Sequence, residues 1–156
     1  MKKAIFPGSF DPITNGHCEI IKKGLKLFDK IIIAVGINNQ KKYMFSIEKR
    51  LEFIESCFEK EKKIKICSYG GLTTDLCKDH GIKFILRGLR NSEDFNFENS
   101  LASMNKEMSN VETIFILSSS NTSHINSSLV RDIILNNGDY SCLLYTSDAA
   151  DDCEGV

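Results

Sequence analysis

The chain has 156 residues, of which 42% are hydrophobic and 26% charged, a composition that suits one globular domain with a substantial core. Its formal net charge is −1, with Lys and Arg spread along the chain, so a bulk nucleic-acid surface is not expected. No stretch approaches transmembrane length, and Met1 to Pro7 lacks the apolar core of a secretory leader, so no membrane partner and a cytoplasmic location are expected. The six cysteines show no Cys-x-x-Cys spacing and most sit inside apolar patterns, as small buried hydrophobes of a reduced compartment do.

Lys3-Ala4-Ile5-Phe6 reads as a first strand. Ile21, Gly24, Leu25 and Phe28 then recur at helical spacing, so residues 7–16 form a strand-to-helix connection that delivers His17 to the first helical turn. Unpaired N–H groups and the positive end of the helix dipole favour an anion such as phosphate there. Gly8 allows close backbone approach, Gly16 leaves room beside the helix start, and Pro7 and Pro12 stiffen the loop. Lys30 to Gly36 is an unbroken apolar run, too short for a helix, and fits a strand covered on both faces. After the polar loop 38–42, Ser46 is the expected N-cap of a helix burying Ile47, Leu51, Ile54 and Phe58.

Ile64 to Cys67 is a short strand broken by Gly70-Gly71, and Thr73 or Thr74 can cap a brief helix that Gly81 ends. Lys83 to Leu86 is the fourth strand, followed at once by a loop containing Arg87, Gly88, Leu89 and Arg90. Ser92 opens a helix to about Met108, and Glu112 to Leu117 is the fifth strand. A Ser- and Asn-rich loop, 118–126, leads to a helix with Leu129, Val130, Ile133 and Ile134 on its apolar face. Five strands alternating with helices predict an α/β fold: a five-stranded parallel sheet, Rossmann-like and doubly wound, with helices on both faces. The domain spans 1–144, with Ser141 to Leu144 packing back onto it. Residues 145–156 are acidic and aperiodic, and read as a disordered or non-native tail.

Ligands of such sheets collect beyond the carboxyl ends of the strands. The loops at that edge supply His17, Lys41, Lys42, Arg87, Arg90, Ser127, Ser128 and Arg131, a set suited to a nucleoside triphosphate. The P-loop and the Gly-x-Gly-x-x-Gly fingerprint are both absent, and no side chain stands out as a covalent nucleophile. The chemistry that fits is in-line attack on the α-phosphate of a nucleotide, with His17 and Ser9 stabilising the charge that develops. Mg²⁺ is expected to arrive on the nucleotide, held mainly by phosphate and water, because no dedicated carboxylate cage is visible.

Four motifs sharpen this reading: Pro7-Gly8-Ser9-Phe10-Asp11-Pro12-Ile13-Thr14-Asn15-Gly16-His17; Lys41-Lys42-x-Met44-Phe45; Ile85-Leu86-Arg87-Gly88-Leu89-Arg90 with Asp94-Phe95 and Glu98; and Ile125-Asn126-Ser127-Ser128-Leu129-Val130-Arg131. Together they resemble the bacterial phosphopantetheine adenylyltransferases, nucleotidyltransferases with a (His/Thr)-x-Gly-His signature, over residues 1–144. The resemblance implies transfer of the adenylyl group of ATP to 4′-phosphopantetheine, giving dephospho-coenzyme A and pyrophosphate. It implies ATP contacts from Ser9, Phe10 and His17, with His17 stabilising the transition state. Gly88, Leu89, Arg90, Glu98 and the loop Thr122, Ser123, His124, Ile125, Asn126, Ser127 and Ser128 would also hold the nucleotide. Ser9, Lys41, Thr73 and Arg87 match positions that bind the acceptor, no protein metal ligand is implied, and the assembly implied is a homo-hexamer. The chain departs from the family's pattern at Asn126, where Ser is common, and at Thr122, where an aromatic residue is common. It also lacks a proline before Ser119 and the family's closing C-terminal helix. Adenylyl transfer to nicotinamide mononucleotide, cytidylyl transfer to a polyol phosphate, and a nucleotide-binding regulator without turnover are the rival readings.

Overall fold

The computed structural model describes residues 1–141 and 143–144. Ten elements alternate along the chain: β1 (Lys3–Gly8), α1 (Asn15–Gly24), β2 (Lys30–Ile37), α2 (Ile47–Cys57), β3 (Ile64–Gly70), α3 (Thr73–Asp79), β4 (Phe84–Leu89), α4 (Ser92–Ser109), β5 (Glu112–Leu117) and α5 (Ser127–Leu135). The strands form one parallel sheet in the order β3-β2-β1-β4-β5. The chain therefore winds outward from β1 through β2 and β3, then crosses back to place β4 on the other side of β1. The two halves diverge between β1 and β4, which opens a crevice at the carboxyl ends of those strands.

Period-2 alternation divides the apolar residues between the two faces. Ala4, Phe6, Ile31, Ile33 and Val35 pack with Ile20, Ile21 and Ile54 from α1 and α2, whereas Ile5, Ile32 and Ala34 pack with Cys77, Ile82 and Val111. Helices thus cover both faces, as the unbroken apolar run of β2 requires. Ser46 caps α2 by accepting from Lys49 N–H at 3.2 Å, and Gly81 takes a left-handed φ of +63° just past the end of α3.

Some boundaries differ from the sequence-based expectation. Arg87, Gly88 and Leu89 belong to β4 rather than to a loop, because Arg87, Gly88 and Leu89 pair with Phe115, Ile116 and Leu117 of β5. Likewise β3 runs on to Gly70 by pairing with β2, so only Gly71 (φ +81°) breaks it. Neither Thr73 nor Thr74 is the N-cap of α3: Leu72 holds that position and no side chain caps it. On α5, Val130 is buried but Leu129 is 40% exposed, so the apolar face is narrower than predicted. Leu143 folds back as expected, its carbonyl accepting from Asn15 N–H at 3.0 Å. The predicted tail, 145–156, lies outside the described residues, as do Cys142 and Cys153. The remaining cysteines (Cys18, Cys57, Cys67 and Cys77) form no disulfide.

Candidate active site

The β1–α1 connection is held from three directions. Asp11, 4% exposed, accepts from Met44 N–H (2.8 Å) and Phe45 N–H (2.9 Å), tying the connection to the segment before α2. From α5, Arg131 Nη1 donates to Asp11 O at 2.9 Å and Ser127 Oγ donates to Pro12 O at 2.9 Å. Arg131, a candidate phosphate ligand in the sequence, is thus a strut of the loop. From α2, Arg50 Nη1 donates to Ser9 O (2.8 Å) and Gly36 O (3.1 Å), with its guanidinium 3.9 Å from the Tyr43 ring centre. Three of the four motifs therefore meet at one loop, although long stretches of chain separate them.

That support shapes a tight turn. Phe10 adopts a left-handed φ of +47° and buries its ring, which sits edge-on to His17 with centroids 5.1 Å apart. Gly8 is needed beneath it, because a Cβ there would come within 3.0 Å of the Phe10 ring. Gly16 faces the loop backbone rather than open space, with Thr122 O and Ile125 O the nearest neighbours of the absent Cβ beside the Thr14 hydroxyl.

His17 occupies the N3 position of α1, where its side chain completes a capping box with Thr14. Thr14 N–H lies 3.0 Å from His17 Nδ1, and because a backbone amide can only donate, Nδ1 is the acceptor. The ring proton therefore sits on Nε2. Burial, with the Arg87 and Arg90 charges adding to it, lowers the His17 pKa from 6.5 to about 4. At neutral pH His17 is thus an uncharged donor of fixed tautomer.

Both arginines after the core of β4 are engaged by α4. Arg87 Nε and Nη2 make a bidentate pair with Glu98 at 2.9 and 2.5 Å, and Nη1 donates to Pro7 O at 2.8 Å. Arg90 pairs with Asp94 at 3.0 and 3.2 Å. Burial would push the Asp94 carboxyl up, but its hydrogen bonds from Arg90 outweigh that and hold it below the usual carboxylate range. Gly88, between them, is required by packing: a Cβ would lie 2.7 Å from Ile20 Cγ1.

Two adjoining crevices open at this edge. One, of about 280 Å³, takes Lys41, Tyr43, Tyr69, Thr73 and Asn105 into its lining, with Tyr69 Oη 2.9 Å from Thr73 Oγ1. The other, of about 300 Å³, is lined by Phe10, His17, Gly88, Arg90, Asn126 and Ser127 among others. Pro7, Gly8, Ser9, Arg87 and Glu98 form a wall common to both.

Of the residues singled out by sequence, Ser9, Lys41, Thr73 and Arg87 line the first crevice. Ser9, Phe10, His17, Gly88, Arg90, Glu98, Ile125, Asn126 and Ser127 line the second. Leu89 is instead buried, and its carbonyl accepts from Ser118 N–H at 2.8 Å. Thr122 turns its hydroxyl to Glu19. Ser123, His124 and Ser128 are not in the lining, and His124 and Ser128 are exposed. Sequence reasoning missed Asp11, Glu19, Tyr69, Asn105 and above all Arg50. A signal for Arg50 existed: it falls between Ile47 and Ile54 on the buried stripe of α2, where a cation needs a built partner.

Comparison with known proteins bears on the family and the fold. A family model described as cytidylyltransferase-like matches residues 5–133. The phosphopantetheine adenylyltransferase of Flavobacterium psychrophilum is 58% identical over 92% of this chain and 95% of its own length. The protein of the same name from Clostridium perfringens is 43% identical over 89% and 85%. Among solved structures, a bifunctional NMN adenylyltransferase/ADP ribose pyrophosphatase from Francisella tularensis superposes with a TM-score of 0.70 at 17% identity, over 96% of this chain and 49% of that one, a likeness of fold alone. With a fold, a motif set and a level of identity that all agree, the chain belongs to the phosphopantetheine adenylyltransferase family of nucleotidyltransferases.

Proposed function

We propose that the chain transfers the adenylyl group of ATP to 4′-phosphopantetheine, and that its two adjoining crevices divide the substrates between them. One observation carries the division: the wall Pro7-Gly8-Ser9 with Arg87 and Glu98 is common to both crevices, so ligands on its two sides meet at one place. ATP occupies the crevice beside His17, and the acceptor lies between Lys41, Thr73 and Tyr69. A phosphate oxygen of the acceptor attacks the α-phosphorus in line, the bond to the β-phosphate oxygen breaks, and pyrophosphate departs. The products are dephospho-coenzyme A and pyrophosphate.

His17 Nε2–H donates to an α-phosphate oxygen as negative charge grows there, and the neutral ring neither gives up nor takes a proton. Arg90 and the N-terminal end of α1 supply further positive potential. Arg87, with its fork filled by Glu98 and Pro7 O, presents a fixed face to the acceptor and keeps the common wall rigid. Asp94 and Glu98 are committed to arginines, and Asp11 to two backbone N–H groups. This donor set fits a divalent ion, Mg²⁺ in our reading, that comes bound to the triphosphate, where it neutralises phosphate charge and favours pyrophosphate release.

An apolar stripe on α4, with Phe97 66%, Met104 56% and Met108 56% exposed, supports assembly into a homo-oligomer. Sedimentation should then give a mass above that of one chain, and a monomer at micromolar concentration would refute it. No described helix is long and apolar enough to cross a membrane, and the fit to ATP and a phosphorylated acceptor supports a cytoplasmic setting. The reaction is tested by pyrophosphate release from ATP with 4′-phosphopantetheine, with the acceptor omitted, and with nicotinamide mononucleotide in its place. Release that requires 4′-phosphopantetheine supports the reading, and equal release with the mononucleotide would sink it.

A further inference from the structure

Glu19 lies on α1 two residues beyond His17, and it faces the segment after β5 rather than solvent. Its side chain is only 17% exposed. Oε1 accepts from Ser119 N–H at 2.9 Å and pairs with Lys23 Nζ at 2.7 Å, and Oε2 accepts from the Thr122 hydroxyl. Lys23 Nζ also donates to Leu117 O at 2.9 Å. Helix α1 therefore holds the end of β5 at Leu117 and grips this segment at Ser119 and Thr122, just before it contributes Ile125, Asn126 and Ser127 to the crevice beside His17. Ser118 N–H is tied to Leu89 O of β4, but beyond it the backbone bonds are short-range: Thr122 N–H and Ser123 N–H return to Ser119 O, and Ile125 N–H returns to Thr122 O. Those bonds close turns within 119–125 without attaching them to the sheet.

We infer that Glu19, held by Lys23 and Thr122, is a positioning residue that latches the 118–127 segment against α1 and so pre-forms one wall of the nucleotide crevice. A Ser- and Asn-rich stretch without proline has no intrinsic reason to stay in one conformation. Tying it to the helix that carries His17 fixes the wall and the transition-state donor in one frame. A ligand entering a pre-formed wall need not order it, so the latch acts on nucleotide affinity. It does not act on the chemical step, because the bound nucleotide supplies the missing order once it is seated. The carboxylate is well suited to the task. Burial alone would raise its pKa, but hydrogen bonds from Lys23, Thr122 and Ser119 bring it down to about 2, so it stays an acceptor throughout the working range.

This inference rests on the crevice beside His17 being the ATP site, and the test separates the two. Thr122→Val removes one donor at nearly constant shape, and Glu19→Gln removes the charge while keeping an amide oxygen. ATP affinity by calorimetry, KM for each substrate and amide hydrogen exchange over residues 118–127 are compared with the wild type. Losing a hydrogen bond to a charged acceptor should raise Kd and KM for ATP roughly tenfold. The KM for 4′-phosphopantetheine should stay within about twofold of the wild-type value, and exchange in the segment should speed up. The double variant should be no worse than the worse single one, because both act on one latch. Faster exchange with unaltered ATP affinity would overturn the inference, as would equal weakening of both substrates. A wild type that binds ATP but makes no pyrophosphate would instead refute the adenylyl-transfer reading, leaving calorimetry and exchange to decide the latch.

Discussion

Replacing His17 by Ala removes two things that the structure separates. One is the return bond of the capping box, Thr14 N–H to Nδ1 at 3.0 Å, whose loss costs about 1 kcal/mol of stability. The other is the Nε2–H donor of a ring that lines the crevice, a donor that in the proposed reaction strengthens its bond only as charge builds on the α-phosphate. Removing a single preorganised donor of this kind costs about 3 kcal/mol in the transition state, or roughly 10²–10³ in kcat. The KM for ATP should change by less than about fivefold, because the ground-state phosphate interacts far more weakly with a neutral donor. Pyrophosphate release at saturating substrates gives kcat, and a melting curve on the same sample checks that the variant folds. A loss confined to KM, or a kcat within about fivefold of the wild type, would refute the role. The pH profile gives an independent check. Because the free-enzyme ring ionises at about 4, kcat/KM should show no limb near 6.5, and such a limb assigned to His17 would contradict its burial.

Lys41→Ala should raise KM for 4′-phosphopantetheine at least about tenfold more than KM for ATP, since Lys41 lines only the crevice away from His17, and equal losses would show the division of substrates to be wrong. Asp11→Ala strands the Met44 and Phe45 N–H groups, so chemical denaturation should report a loss of about 2–4 kcal/mol, and a variant as stable as the wild type would mean that water replaces the carboxylate. Gly88→Ala pushes a methyl to 2.7 Å from Ile20 Cγ1 in a packed interface and should cost about 1–3 kcal/mol in the same assay; an unchanged midpoint would show that Ile20 can move aside. For pH, the folded His17 pKa of about 4 lies below the unfolded 6.5, so its contribution is complete above pH 6.5 and is lost as pH falls towards 4. That loss amounts to about 3 kcal/mol at most. Urea denaturation at pH 7 and pH 4.5 should show His17→Ala losing less stability between the two than the wild type, and parallel losses would remove His17 as the cause.

The alternation of apolar runs and amphipathic segments was enough to determine the five strands, their parallel order of connection and helices on both faces. Each strand is a short local pattern, and right-handed crossovers leave few ways to join them. The strand-to-helix turn that carries His17 was legible for the same reason, since His17, Thr14 and the flanking strand are neighbours in the chain. What the sequence could not decide was which charges stay available to a ligand. Arg87, Arg90 and Arg131 were all placed by the sequence at one edge, with Arg87 and Arg90 the stronger phosphate candidates, yet α4 engages those two and Arg131 props a loop carbonyl. Arg50 and Glu19 carried no motif, and their partners lie 41 and 100 residues away in the chain. A charged side chain becomes a ligand, a strut or a latch according to which acceptors the fold brings within about 3 Å of it. That distance is set only when the whole sheet has closed.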